Sequence, residues 1–174
     1  MPDSAYLACY DHALILPLGM FGPADPPGVR ELFDETGSPM SARGPWVAAL
    51  WKLLAGHAGD DVRLLGEDSE WAQAYDFPRL PDVADSGDIT FADFLGDWPA
   101  GATPPAGPGV REVALVCVTD DTAVPLGRLG PAGPPCLYDP AGRPSMESDE
   151  LNRAVWQLLA DHVYHDVRLD PRPR

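Results

Sequence analysis

Two stretches of the chain carry the same alternation of apolar and polar positions. Tyr6 to Cys9 and Val113 to Thr119 are short apolar runs, each followed by a few polar residues and a second run, Leu14 to Leu18 or Ala123 to Leu129. Runs of this length, rich in strand formers and broken by polar residues, predict two β-hairpins. Further on, Leu32-Phe33-Asp34 with Gly37, and Leu137-Tyr138-Asp139 with Gly142, place aspartate and glycine where a tight turn needs side-chain bonding and positive φ. A third strand is expected beside each turn, with a helical turn over 29–35 as the alternative in the first stretch.

The period then lengthens to that of a helix. Leu151, Val155, Leu158, Leu159 and His162 fall on one face, behind Ser148 as N-cap and Asp149 and Glu150 in the first turn. In the first stretch Pro45 suits the first helical position, Val47, Leu50, Trp51 and Leu54 form the stripe, and Gly56 and Gly59 lie near the exit. Asp-Val-Arg-Leu, at 61–64 and again at 166–169, alternates as a closing strand. Each stretch therefore reads β-β-β-α-β, and the fold class is α+β.

The two stretches also share residues. Trp51-Lys-Leu-Leu-Ala-Gly-His57 returns as Trp156-Gln-Leu-Leu-Ala-Asp-His162 at an offset of 105, which rises to 108 before Gly28 because the first copy holds three extra residues. Over the 55 positions so aligned, 24 are identical. Shared proline and glycine bias accounts for the Pro-Gly block but not for Trp, His, Asp and Arg in register. The expectation is an internal duplication, two tandem units packed about a pseudo-twofold axis with Trp51 and Trp156 in equivalent places. The units span 1–65 and 111–174, packed as one compact domain, with an insertion over 66–110 between them.

That insertion changes the picture of the surface. It holds nine acids against one arginine, Arg79, in a chain whose net charge is −15. It also carries Trp71, Tyr75, Phe77, Phe91, Phe94 and Trp98, too many aromatics for a solvated tether. Short helices are expected over Ser69 to Tyr75 and Ile89 to Leu95, the latter capped by Thr90 or Ser86. A charge of this sign argues against nucleic-acid binding by a basic face. The longest apolar run, Ala13 to Leu18, is too short for a membrane span, and three cysteines in a chain of this size fit no disulfide framework, so a cytoplasmic protein is expected.

Candidate chemistry is sparse. No catalytic motif, phosphate loop or paired Cys-x-x-Cys is present, so no catalytic residue, metal site or cofactor is assigned. Cys9 and Cys117, at matching strand positions with apolar neighbours, read as inert buried thiols. The repeated His-x-x-x-Asp-Val-Arg offers His57 with Asp61 and His162 with Asp166 as a ligand set across the seam. The local alternative, each histidine at a helix end and each aspartate paired with Arg63 or Arg168 on one strand face, is preferred.

Two tandem units of this length with Leu-Tyr-Asp-Pro-Ala-Gly-Arg-Pro at 137–144 resemble the vicinal-oxygen-chelate proteins, which include antibiotic-sequestering members. The resemblance covers that turn and the duplicated layout, and the late helix in each unit departs from the family's β-α-β-β-β order. It implies a small-molecule or metal site in a cavity at the seam. The residues themselves favour a different expectation: a stoichiometric protein-binding module, an acidic inhibitor of the immunity-protein or antitoxin type. Its basic partner, such as a nucleic-acid-directed toxin, would meet Asp82, Asp85, Asp88, Asp93 and Asp97 beside Phe94 and Trp98.

Overall fold

A computed structural model describes residues 3–21, 31–34, 36–42, 44–66, 76–80, 89–131 and 133–173. Among the described residues the architecture is α+β, with two antiparallel sheets and three helices. The first sheet, in the order β3-β2-β1-β4, comprises β1 (Asp3–Cys9), β2 (Leu14–Phe21), β3 (Leu32–Phe33) and β4 (Val62–Gly66), with α1 (Gly44–Gly56) crossing between β3 and β4. A short helix α2 (Phe91–Leu95) follows. The second sheet, in the order β6-β5-β7, comprises β5 (Arg111–Cys117), β6 (Thr122–Leu129) and β7 (Val167–Pro173), with α3 (Asp149–Asp161) before β7. Among the described residues no helix is long and apolar enough to cross a membrane.

The two hairpins carry the same irregularity. β1 and β2 change register between Ala5 and Tyr6, opposite Gly19 and Pro17, and β5 and β6 change register between Val113 and Ala114, opposite Gly127 and Pro125. The extra residue is Leu18 in one and Leu126 in the other, and both are fully buried. Pro17 and Pro125 bring no N–H to a ladder that is interrupted at that point, and the bulge turns a leucine into the core. Gly19 and Gly127, at φ +98° and +130°, sit so close to the next segment that a Cβ would lie 2.6 Å from the carbonyl oxygen of Phe33 or Tyr138.

The third strand survives only in the first unit, and there for two residues. In the second unit it reduces to single bridges from Tyr138 to Arg128 and to Pro144. Arg128 and Tyr138 exchange both backbone hydrogen bonds, at 2.8 and 3.0 Å, but Pro135, Pro140 and Pro144 supply no donors to extend the ladder. The turns after it are built as expected. Asp34 Oδ1 accepts from the N–H groups of Thr36 and Ser38, and Asp139 Oδ1 from those of Ala141 and Arg143.

One cluster of buried apolar side chains draws on both units, with Leu7, Leu16, Leu50 and Leu54 from the first and Leu115, Leu126, Val155 and Leu159 from the second. Trp51 and Trp156 are both buried in it, but they differ in hydrogen bonding. Trp51 Nε1 donates to Asn152 Oδ1 at 3.2 Å, and Asn152 Nδ2 donates to the Ser41 carbonyl at 3.1 Å, tying α1 to α3. The position matching Asn152 in the first unit is Val47, which has no acceptor, and Trp156 Nε1 finds no partner among the described residues.

Both expected caps are present. Thr90 Oγ1 accepts from Asp93 N at the start of α2, and Ser148 Oγ accepts from Leu151 N at 3.2 Å at the start of α3. Replacing Ser148 by alanine removes that acceptor and is expected to cost about 1 kcal/mol in urea denaturation. α1 begins at Gly44, one residue before Pro45. The helix expected over Ser69 to Tyr75 lies outside the described residues.

Candidate metal centre

At the end of each unit away from its bulge, two loops are brought together by one pattern of hydrogen bonds. Tyr10 N donates to the Asp61 carbonyl and Val118 N to the Asp166 carbonyl, both at 2.8 Å. In return Asp61 N donates to Asp11 Oδ2 and Asp166 N to Thr119 Oγ1. The tip of each hairpin is thereby held against the exit of the unit's helix. Ala13 and Asp121, at φ +51° and +54°, turn the two tips. His57 N and His162 N still donate to the carbonyls of Leu53 and Leu158, both at 3.1 Å, so each histidine stands on the last helical turn. Three residues later the chain bends back, Asp60 N donating to the His57 carbonyl and His165 N to the His162 carbonyl.

Four side chains converge in each place. In the first unit they are Cys9, His12, His57 and Asp60, and in the second Cys117, Asp120, His162 and His165. One ligand-type atom from every member lies within 4.8 Å of all the others in its group. Cys9 Sγ is 3.6 Å from His12 Nδ1, 3.3 Å from His57 Nδ1 and 3.9 Å from Asp60 Oδ2. Asp60 Oδ2 is 3.0 Å from both imidazole Nδ1 atoms. In the second group Cys117 Sγ is 3.9 Å from Asp120 Oδ2 and 3.7 Å from His165 Nδ1. Asp120 Oδ2 is 2.8 Å from both imidazole Nδ1 atoms, which are 3.0 Å apart.

These separations suit a tetrahedral shell. Bonds of about 2.0 to 2.3 Å to nitrogen, oxygen and sulfur put neighbouring donors about 3.3 to 3.6 Å apart. Hydrogen bonding alone explains the arrangement poorly, because each group has five close pairs among its four atoms, while a thiol and two imidazole nitrogens bring at most three protons. A relay nucleophile is also excluded by geometry. Cys9 and Asp60 both face Nδ1 of His57, whereas a relay uses the two different ring nitrogens. Burial pushes the Cys9 thiol above its ordinary pKa, so the free thiol is a poor nucleophile, and a metal would have to displace its proton.

A thiolate, two imidazoles and a carboxylate form a donor set for zinc and chemically similar divalent transition metals, not for calcium or magnesium, which take oxygen shells. The cysteines are buried at the floor of each group, while His12 and Asp120 are its exposed members.

Only part of this set is visible in the repeated motif. Asp61 and Asp166, the identical acids, pair with Arg63 and Arg168 at 3.0 and 2.8 Å and stay out of both groups. His57 and His162 are not held only locally, as expected, but meet the cysteines and the non-identical residues His12, Asp60, Asp120 and His165. Nor is there one set across the seam: each group belongs to a single unit. The seam itself, where the edges of β4 and β7 face each other, forms a polar cleft of about 650 Å³ into which both Asp–Arg pairs project.

Of the acidic stretch, Asp82, Asp85 and Asp88 lie outside the described residues. Asp93 and Asp97 are exposed, but Phe94 and Trp98 are half-buried against the core. Lys52 Nζ donates to the Phe94 carbonyl and sits over its ring, and Trp98 Nε1 donates to the Pro135 carbonyl at 2.6 Å. Compared with models of known protein families, with curated proteins and with solved structures, the chain matches none.

Proposed function

We propose that this chain is a metal-binding protein holding two zinc-type ions, one in each unit, in centres of one cysteine, two histidines and one aspartate. One observation carries the reading. His12 in the first unit corresponds to Asp120 in the second, and Asp60 corresponds to His165, so the two positions have exchanged residue types while the donor set is the same in both. Two independent surface substitutions have no reason to compensate in this way; a shared demand for one carboxylate beside two imidazoles and a thiolate supplies one. The same correspondence supports an internal duplication with a pseudo-twofold relation between the units. Four protein donors leave no position for a substrate, so the ions act by fixing the hairpin tips to the helix exits rather than by catalysis.

Elemental analysis of protein purified without chelator tests this. Close to two equivalents of zinc per chain are expected, and reconstitution with Co(II) should give a thiolate-to-metal charge-transfer band that Cys9→Ser and Cys117→Ser each halve. Absence of bound metal together with absence of that band on titration with Co(II) would sink the reading.

A second reading concerns the acidic stretch. Exposed Asp93 and Asp97, carried on a segment anchored by Phe94 and Trp98, favour a protein-binding role toward a basic partner, with the aromatic residues serving as struts and not as contacts. The metal centres would then stiffen the scaffold that presents that charge.

A further inference from the structure

The two units differ beneath their bulges. In the first unit the space there measures about 150 Å³ and is lined by Tyr6, Met20, Met40 and Trp46. In the second it measures about 320 Å³, and the corresponding residues are Ala114, Arg128, Ser145 and Leu151. Ala for Tyr and Leu for Trp remove two large plugs. Arg for Met and Ser for Met introduce polar groups at the same place. An enlarged cavity by itself is a loss of packing, and buried polar groups by themselves are a cost. Their coincidence in one unit is what a ligand site requires, an apolar body pocket with a few polar groups that fix orientation.

Those polar groups are uncommitted. Ser145 is fully buried, and neither its Oγ nor Arg128 Nε has a hydrogen-bond partner among the described residues. Arg128 is held from its other side, Nη2 donating to the carbonyls of Asp139 and Pro140 at 3.3 and 3.5 Å. Leaving such groups buried and unpaired costs free energy that an oxygen acceptor would recover. Val113, Pro125, Leu126 and Leu151 supply the apolar walls. Glu112 and Asp139 also line the cavity, so an anion there would meet two carboxylates and a neutral acceptor fits better.

We propose that this cavity in the second unit binds a small uncharged molecule with an apolar body and one acceptor oxygen, received by Arg128 Nε and Ser145 Oγ. The site is independent of the metal centres.

Acetophenone is a suitable probe, with ethylbenzene as the counterpart lacking the oxygen and benzoate as the charged one. In a heteronuclear NMR titration of the full chain, acetophenone should shift the amide signals of Ala114, Leu126 and Arg128 saturably, with ethylbenzene and benzoate each at least about tenfold weaker. Leu151→Trp and Ala114→Tyr, which restore the first unit's plugs, should each abolish the shifts with the circular dichroism spectrum unchanged. Arg128→Met combined with Ser145→Ala, which removes both donors, should bring acetophenone and ethylbenzene to equal affinity. Absence of saturable shifts, undiminished binding in whichever plugged variant folds, or benzoate binding more tightly than acetophenone would overturn the proposal.

Discussion

Exchanging the two residues that differ between the centres is expected to preserve metal binding where changing either one alone weakens it. His12→Asp alone leaves the first centre with two carboxylates and one imidazole, and Asp60→His alone leaves it with three imidazoles and no carboxylate. Made together, the changes rebuild the second centre's arrangement in the first. Each single variant keeps four donors but changes their charge balance and reach, and is expected to weaken zinc at the first centre by about a hundredfold, the upper end of what outer-shell changes cost. The double variant should return to within about tenfold of the parent. Chelator competition measures this, with Cys117→Ser in the background so that only the first centre reports. A double variant no better than the singles would mean that the four residues do not act as one shell.

The second large effect lies at the other end of the unit. Gly127→Ala is expected to lower stability by about 3 kcal/mol or more in urea denaturation. Two costs combine there: an L-residue held at φ +130°, and a Cβ 2.5 Å from Ser145 Oγ and 2.6 Å from the Tyr138 carbonyl oxygen. Gly37→Ala separates the two. It has a similar conformational problem at φ +83° but nothing within 4 Å of the added Cβ, and a loss of only about 1 kcal/mol is expected. Equal losses at the two positions would show that the close approach under the bulge carries no weight.

The elements are legible in the sequence because local chemistry specifies them. Ser148 and Thr90 cap helices as their positions imply, Asp34 and Asp139 close their turns on backbone N–H groups, and the period-two runs pair as hairpins. Two features escape for a physical reason. The third strand of the second unit is expected from the Asp-Gly turn beside it, but prolines without N–H groups hold it to single bridges. The two four-residue clusters escape because identity between the units marks only residues that stay the same at one position. That favours Asp61 and Asp166, whereas coordination preserves a set of donors in one volume and tolerates exchange between positions. The signal is present as Cys-x-x-His with His-x-x-Asp in one copy and Cys-x-x-Asp with His-x-x-His in the other.

The spacing of the ligands along the chain has a consequence for the unfolded state. Cys9 and His57 are 48 residues apart, and so are Cys117 and His165, so an ion at either centre ties together the two ends of nearly a whole unit. A covalent cross-link closing a loop of that length removes unfolded-chain entropy worth about 4 kcal/mol. An ion that remained bound to both loops would impose a comparable restriction without needing an oxidising environment, and a chelator could undo it. Each centre would then work as a reversible staple, and metal supply would set how readily each unit opens.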